Sequence, residues 1–123
     1  MSTILIVDDY ADALQVWDLY LRASGFEVLT AANGAGALHE AATHNPDLIV
    51  LDLELPDLSG AEVARALRAK ETTRHIPKIA VTGYSQARQL DEARASGFDM
   101  ILIKPCDPAA LVAAIHRLLN DGT

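Results

Sequence analysis

The chain has 123 residues, half of them hydrophobic and 22% charged, which fits one ordinary domain and excludes a disordered or low-complexity chain. Seventeen acidic residues against ten basic give a net charge of −7, which repels a phosphate backbone and argues against nucleic-acid binding. The longest apolar run, Ala109 to Ile115, is seven residues, far short of the roughly 20 that span a bilayer.

The single cysteine, Cys106, cannot form an internal disulfide, and no Cys/His cluster suggests zinc. Met1-Ser2-Thr3 lacks the basic start of a signal peptide. The expectation is one cytoplasmic domain over residues 1–123, without membrane contact.

Ile4–Val7 is a short β-branched burst, as in a strand buried on both faces, and Asp8-Asp9 follows it directly. Leu14, Trp17 and Leu21 make a helical stripe, closed by Gly25, which takes a left-handed cap cheaply. A second burst, Val28–Leu29, comes next, and a third, Leu48–Leu51, runs into Asp52. Ser59-Gly60-Ala61-Glu62 reads as a capping box opening a helix with Val63, Ala64 and Leu67 on its apolar stripe. Ile79–Val81 precedes Thr82, and an Ala-rich helix with one leucine, Ser85 to Ser96, ends at Gly97. That helix is expected to be thinly anchored. Ile101–Ile103 leads into Lys104, and Asp107-Pro108 caps a last helix carrying Leu111, Ile115, Leu118 and Leu119. Pro46, Pro56, Pro77 and Pro105 all fall in connections.

Five strand–helix units in strict alternation predict an α/β fold: an open parallel sheet with helices on both faces. Working residues in such folds lie at the carboxyl ends of the strands. Those positions hold Asp8, Asp9, Asp52, Thr82 and Lys104. Taken singly, Asp8-Asp9 reads more readily as a capping pair, Asp52 as a loop acid, Lys104 as a surface charge and Thr82 as a turn residue. Their joint placement outweighs those readings. Three close carboxylates need compensation, and a hard divalent cation with oxygen ligands supplies it. Lys104 pairs as a point charge with an anion on the central acid, and Thr82 offers a hydroxyl to the same group. The set suits an aspartate that becomes phosphorylated, with Asp52 attacking.

The chain resembles a response-regulator receiver domain. The resemblance runs from about Thr3 to Leu119 and rests on four stretches. These are Ile4 to Asp9, Asp47 to Asp52 with Leu55-Pro56-Asp57-Leu58-Ser59-Gly60, Ala80 to Gly83, and Lys104-Pro105. It implies a flavodoxin-like (βα)5 three-layer sandwich with sheet order 2-1-3-4-5. It further implies a phosphorelay switch in which Asp52 accepts a phosphoryl group from a sensor histidine kinase or phosphotransfer protein. Asp9 and Asp52 would ligate Mg2+ or Mn2+, Asp8 would act through water, and the Glu54 backbone carbonyl would complete the set. Lys104 would pair with the phosphoryl group, Thr82 would be the switch hydroxyl, and Lys104-Pro105 would be cis. No output domain is expected, although a domain excised from a longer kinase or regulator would read the same; signalling is expected through contact with a downstream protein, by a monomer or weak dimer. Beyond self-catalysed phosphotransfer and autodephosphorylation, no enzymatic activity is expected.

The chain departs from the family at Ile101, where Tyr or Phe is usual, and at Cys106, where Phe is usual. Glu54 and Tyr84 stand at positions that vary. Two other readings compete. One is a receiver-like binding module without phosphorylation, although no acid or lysine is missing. The other is an aspartate-nucleophile phosphatase, weakened because Glu54 replaces its second Asp and Asp52 follows the third strand. His39, His44, His75 and His116 share no metal spacing and read as surface residues, Trp17 as core, and Cys106 as a small buried filler.

Overall fold

The computed structural model describes residues 2–83, 87–104 and 106–120, with the backbone alone for 87–90. Among the described residues five strands and five helices alternate: β1 (Thr3–Val7), α1 (Ala11–Ala23), β2 (Glu27–Ala31), α2 (Gly34–His44), β3 (Leu48–Asp52), α3 (Gly60–Ala69), β4 (Lys78–Thr82), α4 (Ala87–Ala95), β5 (Met100–Ile103) and α5 (Pro108–Asn120). All strand pairings are parallel, and the sheet order is β2-β1-β3-β4-β5. This is the expected flavodoxin-like order.

The apolar runs lack alternation because both faces of the sheet are covered. Ile4, Ile6, Leu48, Val50, Ile79 and Val81 point into one core, closed by Leu21 of α1 and by Leu111 and Ile115 of α5. Leu5, Val7, Ile49 and Leu51 point into the other, closed by Ala37 and Ala41 of α2 and by Val63 and Leu67 of α3. Every residue of β3 and β4 is buried, whereas β5, at the sheet edge, is only partly covered. Side chains of period two on the strands and 3.6 on the helices thus build three layers.

Local signals place the element ends. Gly25 and Gly97, both at φ 96°, follow α1 and α4, where a side chain would be strained. Ser59 Oγ accepts the Glu62 N–H at 3.1 Å and opens α3, while Asp107 Oδ1 accepts the Ala109 N–H at 2.9 Å and opens α5. The described contacts of α4 lie at its C-terminal end. Ala93 and Ser96 are buried, and two arginines of α3 reach across: Arg65 Nη1 donates to Ser96 Oγ at 3.0 Å and Arg68 Nη1 to the Ala95 carbonyl at 3.5 Å. The C-terminal end of α4 is therefore fastened by polar contacts that its own apolar content does not disclose.

Candidate functional site

Parallel strands that end in register carry their next residues to one rim. Asp8 continues β1, its N–H donating to the Ala31 carbonyl at 3.1 Å. Asp52 is the last residue of β3 and stands opposite Val81, next to Thr82 at the end of β4. Lys104 follows β5, its N–H donating to the Thr82 carbonyl at 2.7 Å. Asp8, Asp9 and Asp52 thereby meet, with one carboxylate oxygen from each within 4.8 Å of the others. Asp8 and Asp52 are buried, Thr82 is fully buried, and Asp9 is exposed. Five residues expected from sequence thus converge.

The bonds within the rim are specific. Lys104 Nζ lies 2.9 Å from Asp52 Oδ2 and 3.6 Å from Asp8 Oδ2, reaching two carboxylates with one ammonium. Asp52 Oδ1 accepts the Glu54 N–H at 2.9 Å, so the acid's own loop returns to hold its second oxygen. Asp8 Oδ1 accepts the Tyr10 N–H at 3.0 Å, so Asp8 also serves as a local turn residue ahead of α1. The Glu54 side chain is exposed.

Three carboxylates face one ammonium, which leaves excess negative charge in a partly desolvated cleft. Burial pushes the Asp52 carboxyl above its ordinary 3.8, opposed by the Glu54 N–H and Lys104 and assisted by the charge of Asp8. Burial works against the Lys104 ammonium, but the hydrogen bond and charge of Asp52, with Asp8 behind it, prevail and raise its value. A hard cation with oxygen ligands fits this donor set: two buried carboxylates fixed by backbone N–H groups, and a third open to solvent. Among the described residues no other group of three metal-ligating side chains comes together.

The family model for the response regulator receiver domain matches residues 4–116. The chain belongs to this family. Receivers are signalling switches of two-component systems rather than enzymes in the ordinary sense. The chain is similar to the polar-differentiation response regulator DivK of Brucella anthropi, with 34% identity over 98% of each chain. It is similar in structure to a CheY-like receiver domain protein from Methanospirillum hungatei, with TM-score 0.92, 29% identity, and 98% and 95% of the two chains covered. It is also similar to the receiver domain of a sensor histidine kinase from Pseudomonas aeruginosa PAO1 that has a magnesium ion coordinated in its active site cleft. There the TM-score is 0.90 and the identity 30%, over 96% and 97% of the two chains.

Other residues singled out from sequence take quieter places in the receiver. All four histidines are exposed; His44 lies 3.4 Å from Glu40, and the His116 ring stands 5.2 Å from that of Phe26. Trp17 packs against the α1–α5 core, partly buried. Cys106 is half-buried rather than fully so, because the segment ahead of α5 runs along the surface of that core. Burial and the charge of Asp107 push its thiol up, away from the thiolate. Ile101 lies in β5 opposite Ala80, partly buried. Tyr84, and the Lys104-Pro105 bond expected to be cis, lie outside the described residues. No helix among the described residues is long and apolar enough to cross a membrane.

The role of Asp57 escaped the sequence reading, which named it only within the Leu55 to Gly60 stretch. Its carboxylate accepts the Gly34 N–H at 2.7 Å and the Ala35 N–H at 2.9 Å, capping α2 from the loop that follows Asp52. No local pattern discloses a cap supplied from 23 residues away.

Proposed function

We propose that Asp52 accepts a phosphoryl group from a phosphohistidine of a sensor histidine kinase or phosphotransfer protein. The observation that carries this reading is Lys104 Nζ at 2.9 Å from Asp52 Oδ2, inside a cluster of three carboxylates. An Asp52 oxygen bonds to phosphorus as the P–N bond to the imidazole breaks, its electron pair returning to the ring nitrogen. Lys104 then exchanges its carboxylate partner for a phosphoryl oxygen, and Thr82 donates its hydroxyl to another. Hydrolysis restores the starting state: water adds to phosphorus, the P–O bond to Asp52 breaks, and the carboxylate recovers the electron pair.

Mg2+ or Mn2+ would be held by Asp9 and Asp52, by Asp8 through water and by the Glu54 carbonyl. When bound, the ion neutralises charge on the phosphoryl oxygens. The magnesium in the Pseudomonas receiver's active site cleft supports a divalent ion as the bound group. The readout does not run through an aromatic swing on β5, since Ile101 has no ring and its β-branched χ1 is stiff. It runs instead from Thr82 through Gly83-Tyr84 into α4. Residues 1–123 act as a cytoplasmic receiver, a monomer or weak dimer that signals by contact with a downstream protein.

Trp17 is the sole tryptophan and lines, with Asp8, Lys104 and Cys106, a cavity of about 520 Å³ beside the site. Its fluorescence should change on addition of Mg2+ and acetyl phosphate, and should not change in Asp52→Asn. An equal change in that variant would show that the signal arises elsewhere and would remove the assignment.

A further inference from the structure

The carboxylate rim occupies one pole of the sheet, and the opposite pole carries the inverse charge. An open cavity of about 740 Å³ lies where β4 begins, lined by Arg68, Arg74, His75, Lys78 and Arg94. Four of the chain's ten lysines and arginines thus gather around one cavity in a protein of net charge −7. Two acids share the lining, and both are engaged by backbone. Asp47 Oδ2 accepts the Thr3 N–H at 2.7 Å and Asp99 Oδ2 the Lys78 N–H at 2.8 Å, fastening the starts of β1 and β4.

Lys78 is only 3% exposed, and its Nζ donates to the Ile76 carbonyl at 3.0 Å. An ammonium has three hydrogens to place, so two remain without a partner among the described residues. Burial pushes this lysine below 10.5, and the nearby Arg68 guanidinium acts in the same direction against Asp99. Arg74 is exposed and makes no ion pair among the described residues, and Arg94 meets only the exposed Asp91, at 3.5 Å. A buried ammonium with spare donors, ringed by the exposed guanidiniums of Arg68, Arg74 and Arg94, is costly alone and becomes favourable around an anion. The remaining wall, from Phe98, Leu118 and Leu119, is apolar.

We propose that this cavity binds a small organic oxyanion, a phosphate or carboxylate head on an apolar body. The head meets Lys78, Arg68 and Arg74, and the body lies against Phe98 and Leu118–Leu119. A macromolecular anion is disfavoured because Lys78 is almost fully buried, within reach of a small head group only. The site stands apart from Asp52 and does not depend on its phosphorylation.

The test is an amide NMR titration of the full chain, without divalent metal and at constant ionic strength, using inorganic phosphate, phenyl phosphate and phenylacetate. Saturable shifts should centre on Lys78, Phe98 and Asp99, with phenyl phosphate or phenylacetate binding about tenfold more tightly than inorganic phosphate. Whichever of the two aryl probes binds better identifies the head group. Arg74→Ala, which removes an exposed side chain, should weaken binding about fivefold or more, and Asp52→Asn should leave it unchanged. Shifts that do not saturate, equal affinity in Arg74→Ala, or aryl probes no tighter than inorganic phosphate would each overturn the proposal.

Discussion

Gly60 lies directly behind Asp52. A β-carbon at Gly60 would stand 2.5 Å from the Asp52 carbonyl oxygen and 2.7 Å from the Leu53 Cα, both backbone atoms that cannot rotate away. The Gly60 N–H also donates to the Leu53 carbonyl at 2.9 Å, so the loop leaving Asp52 closes onto the first turn of α3. The glycine is there for space.

Gly60→Ala should therefore destabilise the domain by about 1–3 kcal/mol, the usual cost of overpacking, and displace Asp52 from Lys104. Urea denaturation and the rate of phosphoryl uptake would measure the two effects. An unchanged denaturation midpoint would mean that the loop yields freely.

Much of this arrangement is legible in the sequence, for identifiable reasons. The apolar bursts mark the strands because a sheet buried on both faces tolerates no polar alternation, and Ile4–Val7 and Leu48–Leu51 lie within β1 and β3. The rim residues are legible because each comes within two residues after a burst. Features made by residues distant in sequence are not legible. Asp57 capping α2, Arg65 and Arg68 holding α4, and Lys78 buried at the start of β4 all depend on which elements become neighbours. Nothing around Lys78 in the sequence marks it as buried, and lysine is rarely buried unless paired.

The burial of Asp52 predicts a pH-dependent stability. Its carboxyl is raised above 3.8, first by burial and further by the charge of Asp8. The folded state therefore holds this proton more tightly than the unfolded state does. The resulting stability is full below 3.8 and is lost as pH rises through the higher folded value. In chelator, Asp52→Asn should be more stable than wild type near neutral pH, and the gap should close on acidification. Thermal melts across that range would show it. A wild type more stable than the variant at neutral pH would contradict the sign.

Divalent metal should relieve the same repulsion. Mg2+ should raise the melting temperature of the wild type, while a chelator should leave the protein folded, because the cores of both sheet faces involve no site acid. Asp9 is exposed, so Asp9→Asn should melt near the metal-free wild type and lose most of the Mg2+ effect. Calorimetry with and without Mg2+ would test this. Unfolding on chelation would make the metal structural.

Asp57→Asn should lower the melting temperature at neutral pH by weakening the hold on the Gly34 and Ala35 N–H groups, while Asn33 continues to cap the Gly36 N–H of α2. The Ala35 and Gly34 N–H groups hold the Asp57 carboxyl below 3.8. Its stabilisation is therefore present above 3.8 and lost as pH falls through the lower folded value. The difference between wild type and variant should shrink in strong acid. A constant difference would place the effect in loop packing instead.

The most direct test of Asp52 as phosphoryl acceptor is intact mass after exposure to Mg2+ and acetyl phosphate, for the wild type and for Asp52→Asn. The wild type should gain the mass of one phosphoryl group, and the folded variant should gain none. The same increment in the variant would contradict Asp52 as the acceptor.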